Sequence, residues 1–351
     1  MEEKRMKIFK FFAAFTAAFV FISCERRTSP QFYESLGTVC FINLYDDGKK
    51  SVYDEIESCL SKIDSKFNVN KEDSEISLVN KNASKSPVRI SDNFAFVLKT
   101  SLETARLTEG DFNPALGNLI KLWGINTDHA RVPTENEIEE ARKHCDWRKI
   151  AFDKTNQTVF FRDDKIALDF GAIAKGFAAD EIALICERNN VRRAVIDLGG
   201  NILVLGGKKD NSEWKVGIKN PANPAGEPCA VLNFPAIPEI GKTCSVVTSG
   251  VYERFFVQDG KRYHHILSGE TGFPAESGLS SITVVCRKSI AADALSTAFF
   301  VSGKSRALEL KNEAENLFGE KISLVFIENN GKISSSLFLD SEISLDFVNQ
   351  M

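Results

Sequence analysis

No apolar run in the 351-residue chain reaches the roughly 20 residues that a membrane-spanning helix needs; the N-terminal one, Phe11 to Ile22, stops at 12. No excess of basic residues is present: 44 Lys and Arg face 48 Asp and Glu, a formal net charge of −4. Such a surface is not built to neutralise a phosphate backbone, which excludes nucleic acid as a general partner. No Cys-x-x-Cys pair occurs among the eight cysteines, and setting Cys24 aside leaves an odd number, so spacing supports neither a zinc site nor a disulfide framework. The cysteines beside apolar residues, such as Cys286, are expected to act as small buried hydrophobes, with disulfides left open. Low-complexity blocks and repeats are missing too. With 43% hydrophobic and 26% charged residues, disordered, collagenous and coiled-coil classes fall away, and the length suits one large domain or two smaller ones.

Lys4, Arg5, Lys7 and Lys10 precede the apolar run, and Ser23-Cys24 closes it. A basic start followed by a short apolar stretch is the pattern of an export signal. Its Phe21-Ile-Ser-Cys24 ending resembles a relaxed bacterial lipobox, relaxed because Leu is usual where Phe21 stands, and cleavage there leaves Cys24 as a lipid-carrying first residue. An ordinary secretory signal with an incidental cysteine is the alternative. The expected layout is a signal peptide over 1–23, a polar tether over 24–35 and a functional body over 36–351. That body is expected outside the cytoplasm, on the periplasmic side, lipid-anchored to a bacterial membrane.

From Phe32 onward helix and strand patterns alternate without a linker. Val39–Tyr45 has strand chemistry, while Val52, Ile56, Leu60 and Ile63 give Ser51–Ile63 helical spacing. Asp92–Leu107 reads as a helix capped by Ser91, and Thr134 with Glu137 forms a capping box opening another that runs to His144. Strands are expected at Thr158–Arg162, Ile166–Phe170, Arg193–Asp197, Ile202–Leu205, Trp214–Ile218, Ala230–Phe234, Arg254–Gln258, Ile282–Cys286 and Ile322–Ile327. Helices are expected at Ala292–Val301 and Lys304–Leu317. This mixed order predicts an α+β fold class, as a single large mixed α/β body or two interleaved lobes.

Four constellations carry chemistry. Leu168-Asp-Phe-Gly-Ala-Ile-Ala-Lys-Gly-Phe-Ala-Ala-Asp180 reads as an apolar strand, a turn at Gly171 and a helix to about Glu187. Free N–H groups at that helix start favour a phosphate, and Lys175 adds a point charge. It is neither a Walker loop nor a G-x-G-x-x-G fingerprint, and a plain structural corner explains the spacing as well. Asp197-Leu-Gly-Gly-Asn201 either lets a ligand approach a strand end or is simply a hairpin turn. Thr248 to Arg254 and Arg262 to Pro274 gather hydroxyls, charges and two of the four histidines; on a strand, at most one of His264 and His265 faces a given site. Asp293 and Thr297, four apart on one helix face, offer oxygens suited to a hard cation, or else a dipole partner and a packed hydroxyl.

In order, Leu36-Gly37-Thr38, Ser74-Glu75-Ile76, Leu122-Trp123-Gly124, the Asp169–Asp180 block, Asp197–Asn201, Thr248–Phe256, Tyr263–Pro274 and Ala291–Phe300 resemble the ApbE family, the FAD:protein FMN transferases. The resemblance implies a Mg²⁺-dependent enzyme that takes FAD as substrate, transfers FMN to a threonine hydroxyl of an exported redox protein and releases AMP. It assigns Asp293, Ser296 and Thr297 to the metal, together with the backbone carbonyl of Ala172. Leu36, Asn70, Leu122, Trp123, Gly124, Asp169, Lys175, His265 and Leu267 match contacts to the flavin dinucleotide, and His265 and Asp293 are the catalytic candidates.

Two departures stand out. Ser268-Gly269 replaces the usual Asp-Pro, and Asn70 stands where many relatives carry a Tyr. A stacked ring is worth roughly 1 to 3 kcal/mol. Its loss is expected to weaken retention of intact FAD and let water compete as acceptor, giving hydrolysis of FAD to FMN and AMP. Two further readings are a non-catalytic flavin-binding lipoprotein and a general Mg²⁺ nucleotide pyrophosphatase.

Overall fold

The computed structural model describes residues 29–45, 50–208, 210, 212–234, 242–337 and 343–348. Cys24 and the expected signal segment lie outside them. Strands β1 (Gln31–Ser35) and β2 (Thr38–Leu44) form a hairpin, followed by helices α1 (Lys50–Phe67) and α2 (Glu75–Asn82) and strand β3 (Val88–Arg89). Helices α3 (Asp92–Leu107), α4 (Gly117–Trp123) and α5 (Glu135–Arg142) precede strands β4 (Ile150–Asp153) and β5 (Thr158–Phe161). Helix α6 (Ala174–Arg188) leads to β6 (Ala194–Leu198), β7 (Asn201–Leu205), β8 (Trp214–Ile218), β9 (Ala230–Phe234), β10 (Thr243–Gly250), β11 (Phe255–Gln258), β12 (Lys261–His264) and β13 (Leu279–Cys286). Helix α7 (Ser289–Phe318), then β14 (Ser323–Glu328), β15 (Ile333–Ser336) and β16 (Ser344–Phe347), complete the chain.

An eight-stranded sheet in the order β1-β2-β6-β7-β10-β13-β14-β15 organises the molecule, antiparallel at every pairing. Side chains alternate across it. Ile42, Ile196, Leu203, Val247, Val284 and Leu324 join one core with α1, α6 and α7. Val195, Val204, Val246, Val285 and Val325 join a second with Trp214, Ile218, Leu232 and Phe234 of the small sheet β8-β9-β16. Because both faces are covered, neither set of alternate positions needs to be polar: Ile202–Leu205 of β7 and Leu324–Ile327 of β14 read as unbroken apolar runs, while β10 and β13 carry Ser245, Thr248, Ser249, Ser281 and Thr283 among their apolar residues. The result is one mixed α+β body.

Local signals account for the element starts. The Ser91 hydroxyl accepts from the Phe94 amide and caps α3, and the Thr134–Glu137 capping box is formed at α5. Glu75 reaches from α2 to accept from the amide (2.6 Å) and hydroxyl (2.7 Å) of Ser91, tying two helix starts together. The two C-terminal helices expected from sequence are the halves of α7, separated at Gly303, whose φ of 76° and ψ of 170° leave the helical region. One expected strand fails: Ile166–Phe170 joins no sheet. The Asn80 side chain takes the place of a neighbouring strand, accepting from the Leu168 amide (2.7 Å) and donating to its carbonyl (3.0 Å), while the Asp169 amide donates to Pro114 O. The seven cysteines from Cys40 to Cys286 are all free thiols, five of them buried. No helix among the described residues is long and apolar enough to cross a membrane.

Candidate active site

The site forms where the start of α6 meets the start of α7. Gly176 permits the contact: a Cβ there would lie 2.3 Å from Ser289 O and 2.7 Å from both Asp293 Cβ and Ile290 Cα. At this distance the Gly176 amide donates across the helix gap to Asp293 Oδ2 (2.8 Å) instead of closing on the carbonyl four residues back. Among the described residues no amide therefore bonds Ala172 O. Asp180, one turn further along α6, accepts from the Ser289 (2.8 Å) and Ile290 (2.9 Å) amides and caps α7 from outside, since its own N-cap residue, Lys288, makes no side-chain cap. Burial pushes the Asp180 carboxyl up to about 7 against the pull of those two donors.

Lys175 Nζ lies 3.7 Å from Asp293 Oδ1 and 3.5 Å from Gly171 O. Strand β10 supplies hydroxyls from the other side: Ser249 Oγ is 2.9 Å from Ser296 Oγ and 3.4 Å from Thr297 Oγ1, and Ser296 donates to Asp293 O at 3.0 Å. Among the described residues no three His, Cys, Asp or Glu side chains cluster as a metal cage. What stands here instead is one carboxylate with several hydroxyls, and the α6 start whose Gly176 amide holds that carboxylate carries the carbonyl of Ala172 without an amide partner, an all-oxygen set of the kind hard cations accept while keeping water and phosphate ligands. The residues present fit Mg²⁺.

The paired histidines separate as strand geometry requires. His264 is buried against Phe300, its Nε2 on Ala275 O and its Nδ1 accepting the Ile266 amide, and burial pushes it down to about 4. His265 is half-buried on the site side. Burial, then the charges of Arg254 and Lys175, push it down to about 3. Its Nδ1 lies 3.2 Å from Arg254 O; a carbonyl only accepts, so Nδ1 carries the hydrogen and Nε2 keeps a free lone pair. Arg254 also donates to Gly37 O (3.0 Å), bringing the Leu36-Gly37 turn, both residues at positive φ, to the same corner. Asp169 accepts from the Gly171 amide at 2.7 Å and so shapes the loop before α6; burial raises its carboxyl, opposed by that N–H and by Arg254.

The other candidates from sequence occupy varied places. Leu122 lines an open groove of about 930 Å³ with His129, Arg131 and His144. Trp123 is fully buried, its indole donating to Gly272 O (2.8 Å) and packed on Tyr263 and Phe273, so it supports the Tyr263–Pro274 segment. Gly124 ends α4 in the left-handed region at φ 57°, and Leu267 is buried in the same cluster as Trp123. Asn70 is exposed in the α1–α2 turn, its amide donating to Asn68 Oδ1. Sequence reasoning singled out the segments holding Gly176, Asp180, Ser249 and Arg254 without giving these residues a role. The bonds from Gly176 to Asp293, Asp180 to Ser289 and Ile290, Ser249 to Ser296 and Thr297, and the Arg254 guanidinium to Gly37 O join groups 47 or more residues apart, which spacing along the chain does not expose.

The same architecture is found in solved structures. The ApbE protein of Thermotoga maritima matches with a TM-score of 0.77 at 30% identity, covering 88% of this chain and 96% of that one. The flavin transferase ApbE of Vibrio cholerae matches in fold at 0.73 and 24% identity, over 88% and 96%. Two relatives named FAD:protein FMN transferase are similar in sequence. That of Treponema pallidum is 36% identical over 295 residues, 79% of this chain and 80% of the relative. That of Haemophilus influenzae is 30% identical over 315 residues, 86% and 88%. Fold and relatives define an enzyme of the transferase class. The chain belongs to the ApbE family, whose model matches residues 36–318.

Proposed function

We propose that the protein transfers FMN from FAD to a threonine hydroxyl of an exported redox protein and releases AMP. The observation that carries this reading is the Gly176 amide bond to Asp293, which leaves Ala172 O without an amide partner, with Lys175 3.7 Å from the same carboxylate, Thr297 one turn further along α7 and His265 under the charges of Lys175 and Arg254. Ala172 O, Asp293 and Thr297, with Ser296 beside them, would hold Mg²⁺, which when bound supplies charge neutralisation at the diphosphate. Lys175 adds a fixed positive charge next to that carboxylate. His265 Nε2 accepts the proton of the threonine hydroxyl as its oxygen bonds the FMN phosphorus; the bridging P–O bond breaks and its electron pair leaves with AMP. Because the imidazole is already neutral well below pH 6, no deprotonation step precedes catalysis.

Incubation with FAD, Mg²⁺ and a candidate threonine-bearing protein, read by mass spectrometry, should give an FMN adduct and equimolar AMP. AMP without adduct for every exported flavoprotein of the source cell would favour the second reading, an FAD pyrophosphatase, which Asn70 in place of a stacking aromatic supports. Neither product would overturn both. Cys24 is proposed as the lipidated residue that holds the enzyme on the periplasmic side of a bacterial membrane. Cys24→Ser should then move it from the membrane to the soluble fraction, and continued membrane retention would count against the anchor.

A further inference from the structure

We infer that Ser249 is a positioning residue that turns the lone pairs of Thr297 toward the cation site. The inference rests on the proposed cation at Asp293 and follows from counting hydrogens. Ser296 Oγ bonds Asp293 O at 3.0 Å; a carbonyl has no hydrogen to give, so the Ser296 hydrogen is committed there. The 2.9 Å contact between Ser249 and Ser296 then takes the hydrogen of Ser249. The 3.4 Å contact between Ser249 and Thr297 is left with one available hydrogen, that of Thr297. The chain of hydroxyls therefore runs one way, from Thr297 through Ser249 and Ser296 to Asp293 O. A hydroxyl can ligate a cation only with its lone pairs, and its hydrogen must point elsewhere; Ser249 is where it points.

The molecule holds its own comparison. Thr100, Thr104 and Thr108 in and just after α3 all donate to the carbonyl four residues back, to Phe96, Thr100 and Thr104, each at 2.9 Å. This is the usual rest state of a helical threonine. Thr297 bonds across to β10 instead, with no bond to the Asp293 carbonyl. Without Ser249 the Thr297 hydroxyl has that usual bond to fall back on, which re-aims its oxygen. Ser296, with its hydrogen engaged at Asp293 O, serves in this scheme as a link of the relay.

The test is Mn²⁺ alone titrated into the full-length protein and its variants, followed by electron paramagnetic resonance. Outer partners of metal ligands are worth about tenfold or more in affinity, so Ser249→Ala should weaken Mn²⁺ binding about tenfold. If Ser249 acts through Thr297, the same change in a Thr297→Val background should weaken it no further. Wild-type affinity in folded Ser249→Ala, or an undiminished loss in the Thr297→Val background, would overturn the inference. Asp293→Ala separates the two levels. Unchanged Mn²⁺ binding in that variant rejects the cation site itself, whereas lost binding there with no effect of Ser249→Ala rejects only the relay.

Discussion

Replacing Gly176 by alanine places a methyl group 2.3 Å from Ser289 O and 2.7 Å from Ile290 Cα and Asp293 Cβ. Comfortable carbon contacts begin near 3.5 Å, so α6 and α7 must part by about 1 Å. Two effects compete. Alanine is favoured over glycine inside a helix by about 1 kcal/mol, while overpacking a rigid contact costs about 1 to 3 kcal/mol. Two of the three opposing atoms belong to backbone, which has no rotamer to escape into, so the clash sits at its upper end and the net loss should be about 2 kcal/mol. For a chain of this size that lowers Tm by about 3 °C. The effect on catalysis should be larger. The displaced bond is the one from the Gly176 amide to Asp293, and a misplacement of about 1 Å at reacting groups costs about 100-fold in rate. Thermal melts and chromatographic measurement of AMP released from FAD and Mg²⁺ would read both. A Gly176→Ala protein that melts and turns over like wild type would refute the close helix contact as the device that places Asp293.

His265, held at about 3 by burial and by Arg254 and Lys175, should leave no break near pH 6.5 in the pH dependence of kcat/KM. The same shift affects stability: below about 6.5 the unfolded chain takes up a proton that the folded imidazole refuses. Stability should therefore fall as pH drops from about 6.5 toward 3, and His265→Asn should narrow the difference in Tm between pH 7 and pH 5; an unchanged difference would contradict the assigned burial. Asn70→Tyr should slow AMP release without an acceptor and prolong FAD retention, measured by fluorescence after gel filtration; faster release would reverse the stacking argument. Glu75→Ala strips two donors on Ser91 of their acceptor and should cost about 1 to 2 kcal/mol in urea unfolding, an unchanged midpoint being the contrary result.

What could be read from sequence was what is encoded locally. Helix α3 announces itself through Ser91, its apolar spacing and its polar end, and the Thr134–Glu137 box does the same for α5. The Asp197–Asn201 glycines prove to be a hairpin turn joining β6 and β7, with Gly199 and Gly200 at positive φ. Strand β10 was harder. Its Thr248 and Ser249 look like loop residues, because the partners that satisfy them, Thr283 on β13 and Ser296 on α7, are 35 and 47 positions away. Ile166–Phe170 failed for the opposite reason: its apolar composition suits a strand, and nothing local reveals that an asparagine side chain will stand in for one. At the site, single residue types were legible and their pairing was not, since the α6–α7 contact depends on the absence of an atom at Gly176.

The break at Gly303 divides the labour of α7. Every residue that α7 brings to the site lies in Ser289–Ser302, a stretch stapled at its far end by the Ser302 hydroxyl to Asp111 at 2.5 Å. Beyond it, Lys304–Phe318 presents Ala307, Leu310 and Ala314 to the interior and follows its own axis. The distal rod nevertheless folds back on the start of α7: Phe318 O accepts from Lys288 Nζ at 3.0 Å, and Glu320 just beyond it accepts from the Arg287 (2.5 Å) and Lys288 (3.0 Å) amides, so a change at the far end of the helix is felt beside the stretch that carries Asp293.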